Sequence, residues 1–377
     1  MPYEQLDRFA VKMKPLAERR NKTSIEEGHI PPTQTPQGLS PQARETIAEA
    51  IERIGAARAA GKPVMITFGA HTIKNGLAPV LIDLMEHGWL THLATNGAGI
   101  IHDWEFAFQG QSGEDVKAGV ARGEFGNWQE TGFYINLAIN VGAYEGKGYG
   151  ESVGAMIEEE KLTIPSAGDL EKEMAQCAAK DPARAAAAAD LLSIILRFGL
   201  PPGRLNVAHP WKSYSAQAAA YRLGIAFTGH PMIGHDIIYN HPMNHGGCLG
   251  RAALRDFLAF AHAVRGIDGG VYLSVGSAVM SPMVFEKSMS MAQNLALQQG
   301  RRIEGHYILA VDLAESHWDW SQGEPPQTSP EYYLRYNKTF SRMGGVMRYL
   351  TADNRDFLLA LRHGLAKTRN DRHGPAR

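Results

Sequence analysis

The stretch Thr228–Cys248, TGHPMIGHDIIYNHPMNHGGC, holds four of the chain's fifteen histidines within twenty-one residues. His230, His235, His241 and His245 are joined there by Asp236 and by Cys248, one of only two cysteines. Imidazole, carboxylate and thiol are the groups that ligate zinc or move protons. The spacing argues against a metal. His241 and His245 stand four apart, which on a helix would put both on one face. Pro242 lies between them and two glycines follow at 246–247, so no helix is expected across them. No H-E-x-x-H occurs, and zinc needs three or four convergent ligands. No metal is therefore expected. Cys248 suits a small buried residue at a helix start, and His230 and His245 read as polar loop residues.

Three other segments carry candidate chemistry. GAHTIKNG (69–76) and TNGAGIIHDWE (95–105) combine glycines with hydroxyls and amides. Glycine lets a backbone approach a ligand, and amides at a helix start favour phosphate. TNGAG is not G-x-G-x-x-G, and an ordinary strand-to-helix turn explains it as well as a dinucleotide loop does. The aromatic segment 314–338 carries Glu315, Asp319, Glu324, Glu331 and Lys338, and reads as a lid or as a solvated loop. Asp353, before Asn354, suits either a ribose-binding acid or a helix N-cap.

All of these fall just after short apolar runs. PVMITFGA, THLATNGAG, GIAFTG, GGVYLSVGS, HYILAVDL and VMRYLTAD predict strands near 63–70, 91–99, 224–229, 269–277, 306–313 and 346–353. Helices are expected over 40–61, 75–88, 250–264, 282–300 and 354–367. In the first of these, Ser40 is the N-cap and Pro41 the first helical residue. The alternation implies right-handed βαβ units and a doubly wound, mainly parallel α/β sheet with helices on both faces. In such sheets ligands bind at the carboxyl ends of strands. The segment 140–200 reads as a helical insert. Residues 1–40 read as a proline-punctuated arm lying on a neighbour, and 41–377 as one domain. Lys and Arg number 38 against 39 Asp and Glu, so no basic field exists for nucleic acid or a membrane surface. No apolar run approaches a membrane span and no signal core opens the chain, so a cytoplasmic location is expected.

Taken in order, the strand-end residues resemble the deoxyhypusine synthase family from about residue 63 onward. ATNGAGIIHDWEFAF resembles that family's T-T-A-G-G-x-E-E-D-L block, which contacts NAD, placing Thr95, Asn96, Gly97, Ala98, Gly99 and Asp103 on it. GAHTIKNG resembles its Y-T-S-N segment, with Thr72 the nearest hydroxyl. DIIYNH resembles D-x-I-F-F-H, which puts Asp236 and His241 at a substrate loop. PEYYLRYNK resembles P-D-E-A-V-S-W-G-K, with Lys338 at the catalytic lysine, Tyr336 beside it and Glu331 on an acid. Glu324 stands in for a degraded acidic run. YLTADNRDFLLAL resembles Y-A-D-A-S-L-V-F-P-L-L, placing Asp353 and Asn354 on cofactor contacts. The family's G-G-G-x-x-K-H-H is SVGSAVMSP here, so its substrate histidine is missing.

The resemblance implies NAD as cofactor, a Rossmann-like fold and a homotetramer. It also implies an alkylamine group moved from a polyamine-like cationic donor to an amine acceptor, small molecule or protein, through an imine on Lys338. Such a lysine must be neutral to attack, as an apolar aromatic setting would allow. Loss of the histidine keeps open an NAD-linked dehydrogenase or isomerase of another small substrate, with Lys338 as acid, base or binding group. A non-catalytic NAD-binding protein is the third reading.

Overall fold

The computed structural model describes residues 3–373. All six expected strands are present: β1 (Val64–Phe68), β2 (His92–Thr95), β3 (Ala226–Gly229), β4 (Val271–Val275), β5 (Tyr307–Asp312) and β6 (Val346–Thr351). They form one parallel sheet in the order β3-β2-β1-β4-β5-β6. The chain builds outward from β1 to β3, returns to the centre at β4, and builds outward the other way. This is the doubly wound dinucleotide-fold order, with its topological switch point between β1 and β4. Every residue of β1, β2 and β4 is buried, which is why these strands read as unbroken apolar runs rather than alternating ones.

Both faces of the sheet are covered. On one, Met65, Tyr272 and Ile308 lie side by side in register and join Phe260, Phe285, Phe340 and Met289 in an apolar cluster. Tyr272 stacks on Phe285 with ring centroids 4.1 Å apart. On the other, Ile66, Leu273 and Leu309 align, and helices Pro41–Ala59 and Asn354–His373 pack together. Ser40 caps the first of these by accepting the Ala43 amide proton, with Pro41 following as expected.

Residues group into two compact units, where the sequence suggests a single domain over 41–377. The sheet lies wholly in the unit made of 28–99, 222–230 and 257–373. The other comprises residues up to Glu27, 100–221 and 231–256. It is largely helical, with helices Gln129–Glu145, Tyr149–Glu159, Ala167–Cys177 and Pro182–Phe198. An antiparallel pair, Lys161–Ile164 with Gly203–Asn206, accompanies the helices of the insert. The N-terminal segment makes contacts with its own chain. Leu16 and Ile25 are buried within their own chain, and Thr23–Ser24 pairs with Gln111–Ser112. Its anchor is Arg19, whose guanidinium donates two bonds, of 2.7 and 2.6 Å, to the buried Glu105 carboxylate. Burial alone would push that carboxyl up; Arg19 and the surrounding donors hold it below its ordinary value. Among the described residues no helix is long and apolar enough to cross a membrane.

Candidate active site at the sheet switch point

The turns after β1 and β4 meet backbone to backbone. The Gly69 amide donates to the Val275 carbonyl at 3.1 Å. A Cβ at Gly69 would stand 2.1 Å from the Gly276 carbonyl oxygen, so only glycine permits the approach. Gly276 itself has φ +58, and a Cβ there would meet the Asn354 side-chain amide at 2.5 Å. Asn354 begins the helix after β6 and donates weakly, at 3.4 Å, to the hydroxyl of Thr72, which is wholly buried. Gly69, Thr72, Gly276 and Asn354 thus converge at the carboxyl end of the switch point. Two of them, Thr72 and Asn354, are legible in the sequence. The glycines of GAHT and SVGS are visible there too, but only the fold shows that they touch.

The remaining cofactor candidates are occupied within the fold. The Thr95 hydroxyl donates to the Phe68 carbonyl at 2.8 Å and is fully buried. Asn96 caps the helix Gly97–Gln109 by accepting the Gly99 amide proton at 2.9 Å, and Gly97, Ala98 and Gly99 form that helix's first turn. TNGAG is therefore a strand-to-helix turn, not a free glycine loop. Asp353 likewise caps its helix, accepting the Arg355 amide proton at 2.8 Å. The buried Asp103 carboxylate accepts from Ser215 Oγ (2.5 Å), the Ala216 and Gln217 amides (2.9 and 3.2 Å) and Gln217 Nε2 (2.9 Å).

The turn after β4 continues into a cavity of about 510 Å³. Ala278 and Val279 line it beside Pro282 and Met283, with Tyr332, Tyr336, Arg335, Lys338 and Arg342 among the residues on its other walls. Lys338 Nζ lies 3.0 Å from a Glu324 oxygen and 3.2 Å above the Tyr332 ring centroid. Carboxylate and π-face are both partners for an ammonium group, the opposite of the arrangement an attacking neutral amine requires. Glu324 also accepts two bonds from Arg342, which hold its carboxyl below the ordinary value. Glu331 faces its own loop, accepting from Ser329 Oγ and the His317 amide. The Tyr336 hydroxyl meets that of Tyr349 at 3.3 Å, and burial raises the Tyr336 phenol.

The histidines of the 228–248 stretch differ in their surroundings. His241 Nδ1 accepts the Met243 amide proton at 3.0 Å and Nε2 meets Gln129 Oε1 at 3.3 Å. Burial, then nearby Arg8, lowers this ring to about 4. It is a neutral structural imidazole. His230 is buried and shares the Thr228 hydroxyl with His92, at 3.0 and 2.9 Å. His235 is exposed. Asp236 is half-buried, with the Tyr239 hydroxyl 3.4 Å away.

No family model matches the chain, and no curated protein matches it. Several solved structures do. ArgZ, an arginine dihydrolase from cyanobacteria, is 13% identical over 85% of this chain and 32% of its own, with a TM-score of 0.40. AgrE, solved with ornithine and NAD+, is 14% identical over 90% of this chain and 35% of its own, at 0.45. A putative LOR/SDH protein from Methanococcus maripaludis S2 is 11% identical over 90% of this chain and 74% of its own, at 0.44. The chain spans about a third of the length of the first two. Likeness at this level carries no substrate or reaction across. These neighbours are dihydrolase and LOR/SDH-type proteins, not deoxyhypusine synthases, and the resemblance drawn from short motifs is corrected accordingly. The lysine imine and the polyamine donor implied by it are withdrawn with it.

Proposed function

We propose that this chain is an NAD-linked dehydrogenase or isomerase acting on a small, carboxylate-bearing substrate. The observation that carries the cofactor assignment is the strand order, with Gly69 and Gly276 in backbone contact at its switch point. The step from this sheet to a dinucleotide is a fold-level analogy. Thr72 would position the Asn354 amide at the site and the two glycines would keep the crevice floor free of side chains. NAD, when bound, supplies a hydride acceptor.

The substrate class follows from the cavity. It shares the turn after β4 with the switch point, and its charged lining groups are Arg335, Lys338 and Arg342. One acid, Glu324, pairs with two of those cations, so the lining keeps a positive excess. Guanidinium and ammonium groups recognise a carboxylate by charge-assisted bonds. They would repel the cationic amine that the sequence suggests. Tyr332, Tyr336, Pro282 and Met283 supply apolar walls.

The test is NADH formation with a panel of 2-hydroxy and 2-amino carboxylates, each beside its decarboxylated analogue. Turnover is expected only with carboxylates. Arg335→Met should raise KM roughly 10- to 100-fold, the worth of one hydrogen bond to a charged group. Equal turnover of the decarboxylated analogues would overturn the substrate assignment, and the absence of both net NADH formation and NAD-dependent isomerisation with all of them would overturn the whole.

A further inference from the structure

The sequence disfavours a metal because no third ligand is visible near His245 and Cys248. The fold brings one from another helix. Asp190, on the helix Pro182–Phe198, lies against the start of the helix Gly246–Arg265. One ligand atom each from Asp190, His245 and Cys248 lies within 4.8 Å of the others. We propose that these three residues bind a divalent transition metal, zinc in the first instance, with solvent in the fourth position.

The donor set is chemically right. Thiolate, imidazole and carboxylate are the groups zinc takes at roughly 2.0–2.3 Å in tetrahedral geometry. Ligand atoms within 4.8 Å of one another need shifts of about 1 Å to reach such a shell. His245 and Cys248 sit three apart across the first helical turn, so backbone geometry points them the same way. The Cys248 amide approaches His245 Nδ1 at 3.3 Å, a long contact that metal ligation can replace. Arg251 donates to Asp190 Oδ2 at 2.9 Å, which orients the carboxylate as an outer-shell partner does. Cys248 is buried while Asp190 and His245 are half-exposed, and Gly246 and Gly247 are open to solvent, so a fourth position faces water. A Cβ at Gly247 would stand 2.8 Å from Asp190 Oδ2 and 3.2 Å from His245 Cε1, so the missing side chain keeps this space clear. Binding replaces the thiol proton, which leaves to solvent, and the two ligand charges neutralise the ion.

This site lies in the helical unit and does not depend on the proposed NAD chemistry. The test uses the full chain, stripped with a chelator and titrated with Co²⁺ alone. One equivalent should bind, with a near-ultraviolet thiolate-to-cobalt charge-transfer band, tetrahedral visible bands, and release of about one proton per thiol bound. Cys248→Ser should abolish the charge-transfer band while Cys177→Ser keeps it. His245→Gln and Asp190→Asn should weaken binding by more than the roughly 10- to 100-fold that loss of an outer-shell partner costs. Gly247→Val, which removes no ligand but crowds Asp190 and His245, should also weaken it. Zn²⁺ should displace the cobalt stoichiometrically. The absence of a charge-transfer band in the native chain would overturn the proposal without any variant needing to fold, and a band that survives Cys248→Ser would overturn it too.

Discussion

Gly69→Ala tests the switch-point geometry most sharply. The new methyl would lie 2.1 Å from the Gly276 carbonyl oxygen and 3.2 Å from its carbon. Both are backbone atoms, so no side chain can swing away. Restoring van der Waals distance requires the β1 and β4 turns to part by more than about 1 Å. That movement overpacks a dense region, at about 1–3 kcal/mol. It also stretches the Gly69-to-Val275 hydrogen bond, now 3.1 Å, worth about 1 kcal/mol. The expected loss is therefore about 3 kcal/mol. It is read as a lower urea midpoint at unchanged slope, and as weaker NADH binding, since Asn354 moves with the Gly276 turn. Gly28→Ala, where an added Cβ meets nothing within 4 Å, is the control and should stay within about 1 kcal/mol. A Gly69→Ala chain that loses less than about 0.5 kcal/mol would refute the backbone contact on which the site rests.

Two further perturbations probe the buried polar groups. His92 and His230 are both held down to about 3 by burial, the second also by the first, so in the native state they stay neutral. An unfolded histidine titrates near 6.5, so stability from this pair is full above that pH and falls as pH drops from 6.5 towards 3. The pair should lose about 3 kcal/mol between pH 6.5 and pH 5, and His230→Gln should remove about half of that dependence in urea melts; an unchanged slope would contradict it. Arg19→Met leaves the Glu105 carboxylate buried without its cation and should cost about 3–5 kcal/mol, with a smaller loss in Arg19→Met/Glu105→Gln if the pair works as described.

The sheet is legible in the sequence because its strands are buried on both sides. Runs such as VMITF and YILAV then need no partner to be recognised, and SPQ marks a helix start through its cap alone. The division into two units is not legible, because it depends on which distant segments pack together. Residues 3–27 belong with 100–221 through contacts such as Arg19 with Glu105, eighty-six positions apart. The site was half visible for the same reason. Thr72, Asn354 and Lys338 stand at strand ends or in a lid, where position alone makes them candidates. Asp103 and His241 also carry the right chemical groups, but Ser215, Gln217 and the Met243 amide consume them, and none of those partners could be inferred from spacing. The motif resemblance failed similarly, since short glycine- and acid-bearing turns recur wherever a parallel strand feeds a helix. Asp190 shows the reverse case: a third ligand fifty-five residues before His245, invisible until two helices meet.

The most direct test of the central claim is a fluorescence titration of NADH against the native chain, Asn354→Leu and Gly276→Val. One saturable site per chain is expected, weakened about tenfold or more in both variants, since Asn354 would lose its donor or be displaced by a Cβ placed 2.5 Å from its amide. The account is contradicted by a native chain that shows no saturable binding, or by binding that neither substitution changes.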